Sequence, residues 1–205
     1  MHTNILTKNQ LDLSPLIAEY GKQGFYLVGG TALALQIGHR RSIDFDLFTL
    51  NHFGNDEIIE TVQKHYPIDQ TIVSQTDQLT IMTHGVKITW YRYPYKIPIT
   101  EEWPGVIKIP NSLTIAAMKA FALGQRAKWK DYVDMHLLLK QFSLKEICAK
   151  TYELFGAGLF DEALLRGQLS FFKGMDYQER PEYMPGFEVS DEEIKKVLSD
   201  IACTE

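Results

Sequence analysis

Residues 25–46 constrain this chain more tightly than any other stretch. Phe25-Tyr26-Leu27-Val28 is a short, wholly apolar run, fit for a buried strand and too short for a helix. It ends on Gly29-Gly30, and residues 31–37 follow at once as a helix-favouring segment stopped by Gly38. Residues 42–49 then alternate as a strand does: Ile43, Phe45 and Leu47 point one way, and Asp44, Asp46 and Phe48 the other. Strand, glycine pair, helix and second strand follow one another with little between them. That order sets the glycines and the two carboxylates on neighbouring strand ends.

The remaining pattern divides the chain in two. Residues 13–23 read as a helix striped by Leu13, Leu16, Ile17 and Tyr20, and residues 55–65 as another. Strands are expected at 68–74, 78–84 and 86–93, the last pair turned at Gly85. Pro94, Pro98, Pro104 and Pro110 interrupt residues 94–110 and mark a boundary. Beyond it the periodicity is helical over 113–123, 131–141, 144–155, 161–172 and 191–202, with an aromatic, Pro- and Gly-bearing loop at 174–190. The expected organisation is an α/β unit over residues 1–110 and a helical subdomain over 111–205.

Hydrophobic residues make up 45% of the 205 and charged residues 23%, the mix of a globular protein that buries a core. No apolar run reaches membrane-span length, and residues 1–10 lack the apolar core of a signal peptide, so a cytoplasmic location and no membrane partner are expected. Cys148 and Cys203 stand apart, without the spacing of a zinc site or a disulfide framework. The net charge of −5 would argue against nucleic acid, but it is unevenly spread. Residues 160–205 hold 11 acids against 5 bases, whereas no acid occurs between Glu102 and Asp131, where Lys108, Lys119, Arg126, Lys128 and Lys130 lie.

Asp44 and Asp46, two apart on one strand, project to one side about 7 Å apart. Both can reach one divalent ion, or one each of two, with phosphate oxygens and water completing the shell. Gly29 and Gly30 let a backbone approach a ligand closely, and the N–H groups opening the helix favour phosphate. Thr31 either caps that helix or donates to a phosphate. The basic turn His39-Arg40-Arg41 reads equally as solvated or as a phosphate contact. His136, on an apolar helix, reads as a packing residue, and at least two of Trp90, Trp103 and Trp129 as core.

These motifs resemble the AbiEii/AbiGii toxin family, within the DNA polymerase β-like nucleotidyltransferase superfamily. Val28-Gly29-Gly30 with Asp44-Phe45-Asp46 matches the family's first motif. Lys119, Ala122, Arg126, Lys130-Asp131 and Asp134 match a second, and Lys87 a third. The third departs from the family pattern, in which an acid often stands where this chain has Thr89. Either the two aspartates suffice, or Asp131 supplies the missing carboxylate, or transfer activity is weakened. If one helix ran through the second motif, Lys119, Arg126 and Lys130 would share a stripe within about 40°.

The resemblance implies an α+β fold, a nucleotidyltransferase-type mixed sheet flanked by helices, with the helical half completing the active site. It implies transfer of a nucleoside monophosphate from an NTP to an acceptor, RNA at the 3′ end of tRNA in some relatives, with Mg²⁺ or Mn²⁺. Asp44 and Asp46 would be metal ligands and, with Lys119 and Asp131, catalytic. Gly29, Gly30, Thr31, Lys87, Arg126 and Lys130 would hold the nucleotide, and Asp134 would orient a cation by ion pairing. The chain would act as the toxin of a toxin–antitoxin or phage-defence system with an antitoxin encoded nearby. Two other readings stay open: transfer to a protein or a small molecule such as an antibiotic, and a nucleotide-binding module without turnover.

Overall fold

The computed structural model describes residues 1–123 and 128–204. The chain forms two compact units, Met1–Asn111 and Ser112–Glu205, each with its own packing. In the first, the alternating segments build a sheet. Its elements are α1 (Lys8–Asp12), α2 (Ser14–Lys22), β1 (Tyr26–Val28), α3 (Gly29–Ile37), β2 (Phe45–Thr49), α4 (Asn55–Gln63), β3 (Ile68–Gln75), β4 (Gln78–Thr83) and β5 (Val86–Arg92).

The five strands lie in the order β1-β2-β5-β4-β3, with β2 and β5 parallel and every other pair antiparallel. Register aligns Leu27, Leu47, Trp90 and Leu79 in one row, and Phe45, Ile88 and Ile81 in the next. All seven side chains are fully buried. Each large aliphatic or aromatic among them contributes roughly 1.5–3 kcal/mol on leaving water. Tyr20 of α2 meets Trp90 edge-on at 5.1 Å, which seats that helix on this face. The opposite face carries Asp46, Phe48, Thr89 and Tyr91, all half-buried.

The sheet departs from the sequence reading at three places. β2 begins at Phe45, not residue 42, and Ile43 is 59% exposed. The Asp44 carbonyl is taken by the Thr31 hydroxyl, so residues 42–44 form a pinned approach to the strand. A short hairpin, β6 (Glu101–Trp103) with β7 (Ile107–Ile109), occupies part of the proline-rich stretch. Its strands are too short to show a period, yet Trp103 stacks on Phe45 at 6.2 Å and so extends the core. A 3-10 turn (Thr3–Ile5) and α1 precede α2, and α1 opens on a Thr7–Gln10 capping box.

The second unit holds α5 (Ser112–Leu123), α6 (Trp129–Leu138), α7 (Leu144–Phe155), α8 (Glu162–Ser170) and α9 (Asp191–Cys203). Phe121 of α5 stacks on Phe155 of α7 at 4.0 Å. α9 buries Ile194, Leu198 and Ala202, spaced four apart, on one stripe. Because α5 ends at Leu123 and α6 starts at Trp129, residues 119 and 130 lie on different helices. The condition for one cation stripe is therefore not met by Lys119 and Lys130. Among the described residues no helix is long and apolar enough to cross a membrane.

Candidate active site

The site grows from the junction of β1 and α3. Val28 pairs with Asp46 across the antiparallel β1–β2 ladder, so the start of α3 faces the second aspartate. Gly29 has φ +72°, a conformation that costs a side-chain-bearing residue energy. A Cβ there would also run into the Asp46 carboxylate, and one on Gly30 would lie 2.6 Å from Arg40 Nη2 and 3.0 Å from Ser42 Oγ. The glycines therefore admit two charged side chains against the backbone at the helix start. The first N–H groups of any helix lack an i−4 carbonyl, and they point to where anions bind.

Residues 40–44 are held from several sides. The buried Gln10 amide donates to the Ser42 carbonyl at 2.8 Å. The Thr31 hydroxyl, 2% exposed, donates to the Asp44 carbonyl and lies 2.9 Å from the Ser42 hydroxyl. Arg40 Nη1 donates to the Arg41 carbonyl at 2.9 Å. In this geometry Thr31 is neither a side-chain cap of α3 nor turned to a ligand; it fixes the backbone that carries Asp44. The basic turn is not a solvated one either, since His39 and Arg40 are buried. Sequence reasoning passed over Gln10, which had a signal, the Thr-x-x-Gln capping box. Arg40 was singled out only as part of a basic turn, because only the tertiary fold lays its guanidinium over Gly30.

Asp44 Oδ2 lies 2.7 Å from Lys87 Nζ, with the two side chains 19% and 31% exposed. Asp46 pairs in register with Thr89, whose hydroxyl is 3.3 Å from that of Thr80 on β4. Two carboxylates and a lysine thus share the start of β2 and β5, and a threonine pair stands where a third acid would. Among the described residues, no three His, Cys, Asp or Glu side chains gather as a metal cage. Two carboxylates fit the chemistry of Mg²⁺ or Mn²⁺, hard ions that take one or two such ligands together with phosphate oxygens and water.

The candidates of the helical unit are placed differently. Lys119 is 7% exposed and its ammonium lies 2.8 Å from Asp131 Oδ1 and 2.7 Å from Asp134 Oδ2. A buried cation is thereby paired twice, as its burial demands. Lys130 forms an ion pair with Glu179. Arg126 lies outside the described residues. His136, fully buried, has neither ring nitrogen hydrogen-bonded among them, and burial holds its pKa below the ordinary value, with Lys140 adding to the shift. Trp90, Trp103 and Trp129 are all buried.

A five-stranded mixed sheet, a Gly-Gly helix start and two aspartates on the adjoining strand make up a nucleotidyltransferase-type fold. Residues 13–110 match the family model described as "Nucleotidyl transferase AbiEii toxin, Type IV TA system". An uncharacterized protein of Aquifex aeolicus (strain VF5) is 34% identical over 130 residues, a match covering 60% of this chain and 62% of that protein's length. A putative nucleotidyltransferase from H. pylori superposes with a TM-score of 0.58 at 20% identity, over 95% of this chain and 92% of that one. MenT4, a nucleotidyltransferase toxin from Mycobacterium tuberculosis H37Rv, gives 0.55 at 12% identity, over 95% and 82%. At such identities these two structures attest the fold.

Proposed function

We propose that this protein transfers a nucleoside monophosphate from an NTP to an RNA acceptor, the 3′ end of tRNA being the leading candidate. It would do so as the toxin of a cytoplasmic toxin–antitoxin or phage-defence pair, restrained by a cognate antitoxin. The observation that carries this reading is the Val28–Asp46 register, which sets the N–H groups of the α3 start against a carboxylate pair. Asp44 and Asp46 would hold Mg²⁺ or Mn²⁺, which when bound neutralises the leaving pyrophosphate and lowers the pKa of the attacking hydroxyl. Gly29 and Gly30 keep the backbone open to phosphate, and Thr31 holds Asp44 in place. Lys87 balances Asp44 and is exposed enough to turn its ammonium to a phosphate oxygen.

In the helical unit, Lys119 is proposed as the cation serving the triphosphate, with Asp131 and Asp134 fixing its ammonium. Lys130 would contribute charge only on leaving Glu179. Catalysis would rest on positioning and electrostatics, as in other phosphoryl transfers. Incubation with each labelled NTP, Mg²⁺ or Mn²⁺ and total RNA tests the reading. Labelled RNA is expected from the wild type, with a loss of about a hundredfold or more in Asp46→Ala. Label confined to protein or to a small molecule would assign a different acceptor, and equal labelling by Asp46→Ala would refute the assigned chemistry.

A further inference from the structure

The uneven charge of the sequence has a counterpart in the helical unit. Residues 160–205 hold 11 acids against 5 bases, while no acid lies between Glu102 and Asp131. Glu179, from the acidic stretch, meets Lys128 and Lys130, from the basic one. Its Oε1 lies 4.0 Å from Lys128 Nζ, and its Oε2 pairs with Lys130 Nζ. One carboxylate thus stands between the two ammonium groups that flank Trp129. Lys130 also adjoins Asp131, which holds the ammonium of Lys119.

Neither helix stability nor anchorage of the loop calls for this cluster. Lys128 is the N-cap residue of α6 and Lys130 lies in its first turn, where positive charge opposes the helix dipole. Other contacts hold the loop on either side of Glu179. The Trp129 N–H donates to the Asp176 carbonyl at 2.9 Å, and the Tyr177 ring lies 5.3 Å from that of Trp129. Arg180 sits over the Tyr177 ring at 4.8 Å and pairs with Asp191 at 2.6 Å. Glu179 is 46% exposed, Lys128 37% and Lys130 23%, and ion pairs so open to water hold little. The carboxylate can therefore leave at small cost while α6 keeps the lysines in place. A phosphate group offers the same pair of anionic oxygens, and lysine is a common partner for it.

We infer that Lys128 and Lys130 form a contact for substrate phosphate and that Glu179 fills it in the free protein, so that an incoming polyanion displaces the carboxylate. The identity of that polyanion rests on the reading of this chain as a nucleotidyltransferase acting on RNA. Its phosphate has two sources, the backbone of the acceptor strand and the triphosphate of the NTP.

The test measures binding by the full chain of a short fluorescein-labelled single-stranded RNA, from about 50 to 200 mM salt, and of ATP. Wild type, Glu179→Gln, Lys128→Gln, Lys130→Gln, the Glu179→Gln/Lys130→Gln double variant and Glu192→Gln are compared, with circular dichroism reporting folding. Glu192, exposed in the first turn of α9, makes the same change of net charge outside the cluster. Glu179→Gln is expected to bind RNA about twofold to thirtyfold more tightly. It should also steepen the fall of log K with log salt, because no freed carboxylate takes up cations on binding. Each lysine variant should weaken binding and reduce that slope by about 0.7, and in the double variant the gain from Glu179→Gln should shrink. A gain seen with ATP and not with RNA assigns the contact to the triphosphate. Equal gains in Glu179→Gln and Glu192→Gln overturn the inference, because net charge alone would then account for them. So does unchanged affinity of folded Glu179→Gln for both ligands, or lysine variants that bind both as the wild type does. Tighter RNA binding by Glu179→Gln in a protein that transfers nothing would remove the transfer reading and leave the contact standing. Transfer by the wild type without that gain would remove the contact alone.

Discussion

Gly29→Ala puts the junction of β1 and α3 to a quantitative test. At φ +72° an alanine occupies the left-handed region, at a cost of about 1–2 kcal/mol. Its Cβ would collide with the Asp46 carboxylate, and the register with Val28 stops the Asp46 backbone from retreating, so the side chain must leave its rotamer for about 0.5–1.5 kcal/mol more. Together these give about 1.5–3.5 kcal/mol. At about 2–4 °C per kcal/mol for a chain of this size, the midpoint of thermal unfolding followed by circular dichroism should fall by about 3–14 °C. Gly30→Ala is the comparison: its φ is ordinary, so it lacks the backbone part and meets only the Arg40 and Ser42 side chains, and its cost should fall below that of Gly29→Ala. Adding Asp46→Ala to Gly29→Ala should recover the collision part and leave the backbone part. Equal Tm losses for the two glycine variants, or no recovery in the double variant, would refute this account.

Further outcomes follow from the same geometry. Thr31→Val removes the bond to the Asp44 carbonyl and leaves buried acceptors unmatched, for about 1–3 kcal/mol by denaturant titration, whereas Thr31→Ser keeps most of the stability. Lys119→Met takes from Asp131 and Asp134 the cation they share and should cost about 1–3 kcal/mol; adding Asp131→Asn and Asp134→Asn should restore part of it, and a triple variant no more stable than the single one would contradict the pairing. His136 is held neutral by burial, so the unfolded chain binds its proton more readily, with a pKa near 6.5. Stability should therefore fall as pH drops below about 6.5 and level off once the folded-state pKa is passed, and His136→Leu should flatten that part of a Tm–pH profile.

Much of the fold and part of the candidate site can be read from the sequence. The apolar run 25–28, the glycine pair and the alternation of residues 45–49 fix their elements because each is a local pattern, with strand period 2 or helix period 3.6. The helices at 144–155 and 191–202 are legible for the same reason, and the capping Ser143 and Ser190 mark their starts. The β6–β7 hairpin escapes such reading, since three-residue strands hold no measurable period and draw their stability from Trp103 packing on Phe45.

By itself the sequence determined that Gly29, Gly30, Asp44 and Asp46 lie on adjoining segments, because short-range periodicity and turn chemistry suffice for that. Only the tertiary structure decided what each side chain does once there. It assigned the Thr31 hydroxyl to the Asp44 carbonyl, laid Arg40 over Gly30, tied Lys87 to Asp44, and enclosed Lys119 between Asp131 and Asp134. It also lined Phe48, Tyr91 and Tyr93 along the face of Asp46. These are contacts between residues far apart in the chain. Burial makes an unpaired charge or hydroxyl costly, so each polar group takes the partner that the fold brings within reach, a choice no local pattern records.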